Sequence, residues 1–261
     1  MKYPIYIPTK GRFGKLAKFA KTIPLLQGEK IPFTCFVEPK ELKKYKKSFP
    51  KVDFVELKDN DRGIAFARQS ILDYARMKKV KRYWQLDDDV VAFYKLEKPG
   101  KVGESNAKKV LGGVEKFVHG HKNKDRIALA TPQVPQLMWC AKKEYAYFAI
   151  MGQCILTSTF SGRNYNTDLL LLSDIDFVLQ HIHYRWLMVA LNVLGFRTSK
   201  MGHTKGGLYK TYREGKRVEA VKFIFSKWKK YCKPPKPDAT GFINVLIDGK
   251  KARQHVFGKK G

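Results

Sequence analysis

Three consecutive carboxylates, Asp87-Asp88-Asp89, follow the run Tyr83-Trp84-Gln85-Leu86. Held this close, three negative charges repel one another unless a cation sits among them. Hard oxygen ligands of this kind suit Mg²⁺ or Mn²⁺, ions that also hold substrate phosphates. The chain carries only 23 acidic residues in 261, so the cluster is not a by-product of acidic composition. Two arginines fit the same chemistry: Arg12 follows Thr9, Lys10 and Gly11 at a helix start, and Arg68 lies on the helix that Gly63 opens. A guanidinium holds a phosphate through two parallel hydrogen bonds, and a helix N-terminus offers it free N–H groups. Acids and arginines together describe a pocket for a nucleoside diphosphate.

The elements that must position these groups are legible in the first half. Short apolar strands are expected at Tyr3–Ile7, Phe33–Val37, Val52–Glu56 and Arg82–Leu86. Between them come a helix running from about Arg12 to Lys21, a short basic helix, and an amphipathic helix over Gly63–Met77. Strands separated by helices imply a mainly parallel sheet, which binds its ligands at the carboxyl ends of the strands. Beyond a helix at Asn106–His119, strands at Ile127–Thr131, Tyr145–Met151 and Cys154–Thr159 lie too close in sequence for helical crossovers, so a mixed or antiparallel edge is expected. Ser173 is placed to cap a helix from Asp174 to about His181, and a strand follows at Trp186–Leu191. A long basic helix over Tyr209–Lys230, a breaker at Lys233-Pro234-Pro235-Lys236-Pro237 and a hairpin of Phe242–Ile247 with Ala252–Phe257 complete the chain.

Charge points to the partner. With 52 Lys and Arg the net charge is +29, a self-repulsion that a polyanion would relieve. Residues 200–261 hold 17 basic and 4 acidic side chains, interleaved with Tyr209, Tyr212, Phe223, Phe225, Trp228 and Tyr231. Basic side chains neutralise phosphates and aromatic rings stack on exposed bases, so nucleic acid is expected. Apolar content of 44% excludes disorder, and no apolar run approaches the roughly 20 residues that span a bilayer. Pro4 and Pro8 interrupt the stretch where a signal peptide would need continuous apolar residues, and the four cysteines form no CxxC pair; a cytoplasmic location is expected.

Three stretches carry a resemblance. Pro8-Thr9-Lys10-Gly11-Arg12, Gly63-Ile64-Ala65-Phe66-Ala67-Arg68-Gln69 and Trp84-Gln85-Leu86-Asp87-Asp88-Asp89 resemble the nucleotide-sugar half of GT-A glycosyltransferases. More narrowly, the chain resembles the phage TET-associated DNA glycosyltransferases, which modify hydroxymethylated pyrimidines. Leu172-Ser173-Asp174-Ile175-Asp176-Phe177 is similar to the acidic helix start of inverting GT-A enzymes, and Gly206-Gly207 to the family's late glycine pair.

The resemblance implies a GT-A-like, Rossmann-like mixed α/β fold with a mainly parallel sheet flanked by helices. It implies a domain over 1–231, divided into a nucleotide-sugar half (1–95) and an acceptor half (96–231), with a basic extension over 232–261. Pro8, Thr9, Lys10, Arg12, Glu38, Gly63, Arg68, Asp87 and Asp88 would bind the donor. Asp87 and Asp89 would bind the metal, with His203 or Asn192 as a further ligand. Ser173 stands where the family usually has Glu, leaving Asp174 or Asp176 as the base, with Asp174 favoured. Lys205, Lys210, Arg213, Arg217, Lys227, Lys229 and Lys230 would hold double-stranded DNA.

The implied reaction moves a sugar from a UDP-sugar to the hydroxymethyl group of 5-hydroxymethylcytosine or 5-hydroxymethyluracil, with Mn²⁺ or Mg²⁺ as cofactor. A metal-dependent nuclease or nucleotidyltransferase shares the acids and the basic surface, but would need a two-metal carboxylate set. A non-enzymatic DNA-binding protein would leave three repelling carboxylates beside a polyanion.

Overall fold

The computed structural model describes residues 1–199, 216–237 and 243–258. Its first half has four parallel strands, β1 (Ile5–Pro8), β2 (Thr34–Val37), β3 (Asp53–Glu56) and β4 (Arg82–Leu86), in the spatial order β3-β2-β1-β4. Every residue of β1 and β4 is buried, as expected of strands covered on both faces. Helices α1 (Thr22–Gly28), α2 (Leu42–Ser48) and α3 (Gly63–Met77) lie between them in sequence. From β1 the chain steps outward to β2 and β3, then returns to lay β4 on the other side of β1. That reversal opens a crevice at the carboxyl ends of β1 and β4, the place where open α/β sheets bind ligands.

The helix expected directly after Arg12 is instead a 3₁₀ turn over Gly14–Phe19, with α1 beginning only at Thr22. Gly11 and Gly14 both adopt positive φ, 68° and 55°, which a right-handed helix cannot pass through.

The second half adds β5 (Val90–Lys98), β6 (Lys101–Ser105), α4 (Ala107–Gly120), β7 (Ile127–Gln133), a short α5 (Pro135–Met138), β8 (Tyr145–Tyr147), β9 (Cys154–Ser158), α6 (Ser173–His183) and β10 (Leu187–Thr198). The sheet continues β4-β9-β7-β10-β5-β6, with β8 on β10. β9 runs antiparallel to β4 and β7, while β10 runs parallel to β7 and antiparallel to β5. The architecture is therefore the mixed α/β sheet read from the sequence, parallel in its first half and flanked by helices. The β5–β6 hairpin was not anticipated, although Pro99-Gly100 marks its turn and Gly100 takes φ 76°. The helix over α6 starts one residue early: Leu172 precedes it at φ 62°, and the Ser173 hydroxyl is buried without a hydrogen-bond partner rather than capping.

At the end of the chain, α7 (Arg217–Trp228) packs on a ribbon of β11 (Cys232–Pro237) and β12 (Ile243–Ile247), and α8 (Gly249–Phe257) packs on α6. This corrects the expected hairpin. The proline-rich segment is itself a strand, and Ala252–Phe257 is helical, its start capped by the Asp248 carboxylate on the N–H groups of Lys250 and Lys251. The ribbon tolerates Pro234 and Pro235 because its register slips between Lys233 and Lys236, sparing the two positions that cannot donate. The part of the expected basic helix before residue 216 lies outside the described residues. No helix among the described residues is long and apolar enough to cross a membrane.

One buried histidine gives the fold a pH dependence. His181 is fully buried on α6, with its ring nitrogens against the Phe177 carbonyl (2.7 Å) and the Ser161 hydroxyl (2.9 Å). Burial pushes its pKa down to about 4, with Arg163 adding to the effect against the Phe177 carbonyl. A folded-state pKa below the unfolded value of about 6.5 means that unfolding takes up a proton as pH falls. Stability is thus present above pH 6.5 and lost toward pH 4, by on the order of 3 kcal/mol from this residue. Urea unfolding of the wild type and His181→Asn at several pH values checks this. The variant is expected to show the shallower decline, and identical declines would contradict it.

Candidate active site

The crevice at the ends of β1 and β4 is part of a cleft of about 620 Å³. At its floor the acidic triplet is fixed through its backbone: Thr22 Oγ1 donates to the Asp87 carbonyl (2.7 Å), Thr22 N–H to the Asp88 carbonyl (3.1 Å), and Ser199 N–H to the Asp89 carbonyl (3.0 Å). The three side chains then have different surroundings. Asp88 is buried and accepts from both Thr9 and the Arg12 guanidinium. Asp87 accepts from Arg68 Nη2 at 3.1 Å. Among the described residues, Asp89 has only a distant guanidinium, Arg12 Nη2 at 3.8 Å from one oxygen, and its Oδ1 is buried without a hydrogen-bond partner. Burial pushes the Asp88 carboxyl above the usual carboxylate range against the pull of Arg12 and Thr9; for Asp89 burial acts together with the Asp87 and Asp88 charges.

The β1 loop is braced from behind. Tyr45 on α2 is buried, bonded to Thr9 Oγ1 (2.9 Å), and its hydroxyl accepts from Arg12 N–H (2.9 Å). Lys10 bridges Glu38 (2.6 Å) and Asp61 (2.7 Å), and Glu38 also accepts from the Asp61 N–H (2.9 Å). The ammonium groups of Lys10 and Lys40 hold Asp61 down to about 2. Pro8, Gly63 and all of these loop groups except Lys40 and Tyr45 line the cleft.

Arg68 links the acidic floor to the opposite wall. Buried on α3, it reaches the Gly152 carbonyl (3.3 Å) as well as Asp87, and its Nη1 lies 3.8 Å from Asp174 Oδ2. Burial works against the charge of this guanidinium, but Asp87 and Asp174 more than offset it. Asp174 stands in the first turn of α6, where the helix N-terminus favours a carboxylate. The left-handed Leu172 turns the chain into that helix, and the Asp174 carboxylate lies directly over the Cα of Gly152.

The expected residues divide into those the cleft gathers and those it does not. All the expected donor residues, Asp89 and Asp174 line it. Asp176 does not: its fully buried carboxylate accepts from Trp228 Nε1 (2.8 Å), Gln180 (2.8 Å) and Lys227 (2.9 Å), so it ties α6 to α7 and has no free side toward a substrate. Lys227 is accordingly committed to that pair, while Lys229 and Lys230 are exposed. Arg217 is buried on the cleft wall beside Asn244 and the Ile243 carbonyl, not on an outer face. Asn192 donates to the Lys143 carbonyl (2.9 Å) and accepts from Gln133 (3.4 Å), so it serves as a loop anchor outside the cleft lining. His203, Lys205, Lys210 and Arg213 lie outside the described residues.

Among the described residues, no three His, Cys, Asp or Glu side chains form a ready metal cage. Asp89 with its orphaned oxygen and the partly exposed Asp87 carboxylate supply two hard oxygen donors. Gly152, Gln133, Gln153, Asn244 and Leu246 also line the cleft and were not among the expected site residues. They come from chain segments with no motif, and only the glycine directly under Asp174 carries a local signal.

Comparison with known proteins bears on this cleft directly. No curated protein matches the sequence. Among solved structures, the "Crystal Structure of A197 from STIV" superposes with a TM-score of 0.42 and 16% identity, covering 77% of this chain and 86% of the other. The sequence model of the TET-Associated Glycosyltransferase family matches residues 3–207, which include β1 to β10 with the acidic triplet, both arginines and Asp174. On that match the chain belongs to the TET-Associated Glycosyltransferase family and is a glycosyltransferase.

Proposed function

We propose that this enzyme transfers a sugar from a UDP-sugar to the hydroxymethyl group of a 5-hydroxymethylated pyrimidine in double-stranded DNA. The observation that carries the reading is one cleft holding buried polar atoms of both kinds without hydrogen-bond partners among the described residues. They are the N–H donors Arg12 Nε and Arg68 Nε and the acceptors Asp89 Oδ1 and Glu38 Oε2, the last with only the Lys40 ammonium nearby at 3.7 Å, and all four residues line the cleft. Buried polar groups in folded proteins are normally paired, so such a set is suited to a ligand that brings both an anion for the guanidinium groups and hydroxyls or a cation for the carboxylates.

In this reading, Thr9, Lys10, Glu38 and Gly63 hold the nucleoside, and Arg12 and Arg68 face the diphosphate. Asp87 and Asp89 would hold Mn²⁺ or Mg²⁺, which when bound supplies positive charge for the departing diphosphate. Arg68 adds fixed charge at the same place, already oriented by Asp87 and so needing no rearrangement as the sugar–phosphate bond breaks. Asp174 takes the proton of the acceptor hydroxyl as that oxygen attacks the anomeric carbon. Asp88 positions Arg12 and touches no substrate. A division at about residue 95 into donor and acceptor halves accords with this assignment, with the cleft wall completed by Arg217 and Asn244.

Calorimetric titration of UDP with and without Mn²⁺ tests the donor site. Binding is expected to require the metal and to weaken by at least tenfold in Asp89→Asn, as for a lost charged ligand. Metal-independent binding would remove the metal from the donor site, and no binding with any metal would sink the UDP assignment. Transfer to hydroxymethylcytosine and hydroxymethyluracil DNA then identifies the acceptor.

The exposed pair Lys229 and Lys230 is proposed to contact the phosphate backbone, with Lys227 excluded by its bond to Asp176. Lys229→Ala with Lys230→Ala is expected to reduce the salt slope of DNA binding by up to about 2, at roughly 0.9 per lost phosphate contact. An unchanged slope removes this helix end from the DNA surface.

A further inference from the structure

The loop between β7 and β9 leaves the cleft at Gln133 and Val134 and returns to it at Ile150, so it stands at the cleft's lip. It is fixed from below. Met138 is buried against Gly195 of β10, a position where any Cβ would collide with its sulfur. Asn192 of the same strand donates from its backbone to the Glu144 carbonyl (2.7 Å) and from its side chain to the Lys143 carbonyl (2.9 Å). With Met138 turned inward, its neighbours Leu137 and Trp139 stand outward at 55% and 59% exposure, and the Trp139 ring stacks on no ring among the described residues. Exposed Lys142 and Lys143 follow.

Holding an indole and an isobutyl group in water forgoes apolar burial that a partner would recover. On a chain of net charge +29 that partner is a polyanion, and a nucleic-acid duplex is a polyanion with apolar faces inside its base stack. The candidate base Asp174 lines the same cleft, its side chain only 26% exposed. A base brought to it leaves the stack, at an unstacking cost that an inserted apolar side chain offsets.

We propose that Leu137 and Trp139 form a wedge that enters the DNA base stack as the target nucleotide is extruded into the cleft. The inference rests on DNA being the acceptor, as proposed above.

The test compares wild type, Trp139→Ala and Leu137→Ala on two readouts. The first is the ratio of kcat/KM on duplex to that on single-stranded hydroxymethylcytosine DNA. The second is the fluorescence of 2-aminopurine placed next to the target in a duplex, which rises on unstacking. Each variant is expected to lower the duplex-to-single-strand ratio by roughly tenfold or more, the scale of the unstacking cost. A mismatch opposite the target should restore it, and the fluorescence rise of the wild type should be lost.

If the wild type modifies DNA but neither readout moves in the variants, the wedge is overturned and the acceptor reading stands. If the wild type modifies no DNA, the acceptor reading falls and the wedge falls with it, an outcome distinct from loss of the wedge alone. A change from dimer to monomer on Trp139→Ala, seen by sedimentation, would assign the patch to self-association and overturn the proposal.

Discussion

Asp174→Asn is expected to lower sugar transfer by roughly 10²–10⁴-fold, the range for loss of a general base, while leaving UDP affinity nearly unchanged. The amide is the same size as the carboxylate, so it keeps its seat over Gly152 and its place in the first turn of α6. What disappears is the ability to accept a proton, together with one of the two carboxylates facing Arg68. Transfer kinetics and UDP calorimetry on the same preparation separate the two effects, and retained kcat would place the base elsewhere. Gly152→Ala reaches the same group from below. Its methyl would collide with Asp174 Oδ2, so the carboxylate must shift. Transfer is expected to fall by roughly tenfold or more, since small misplacements of a reacting group carry penalties of that order. A fully active Gly152→Ala would argue that the position of Asp174 is unimportant.

The second large effect is on stability. Asp88→Ala is expected to cost about 3–5 kcal/mol, because it leaves the buried Arg12 guanidinium without its carboxylate and Thr9 without an acceptor. At about 2–4 °C per kcal/mol for a chain of this size, that corresponds to a drop in Tm of about 10 °C. Removing both charges should be milder. The double variant Arg12→Met with Asp88→Leu is expected to recover part of the loss, since neither charge then remains buried alone. Thermal unfolding of the three proteins decides the matter, and an Asp88→Ala protein melting like the wild type would mean that the pair does not organise the cleft floor.

Much of the donor side was legible beforehand because its signals are local. The amphipathic period of Gly63–Met77 gave α3 at the observed boundaries, and the apolar run before Asp87 gave β4. The alternation of short strands and helices gave the parallel sheet, and with it the strand ends where Thr9, Arg12 and the acids meet. Errors fell where a local rule met a long-range constraint. Prolines at 234 and 235 read as a breaker, yet the ribbon of β11 and β12 absorbs them with a register slip. Asp174 and Asp176 read as two candidate bases at one helix start, with Asp174 favoured. Two residues apart on a helix they point about 200° from each other, one into the cleft and the other into the packing between α6 and α7.

The sequence by itself determined the parallel half-sheet, the acid–arginine chemistry and the family, since periodicity, composition and short motifs need only neighbours along the chain. The tertiary structure alone decided the division of labour within that set. Which of three adjacent carboxylates keeps an unpaired oxygen depends on guanidinium groups brought from residues 12 and 68, and on backbone anchors at residues 22 and 199. Burial makes those distant partners decisive, because a charge removed from water must be neutralised by whatever the fold places beside it.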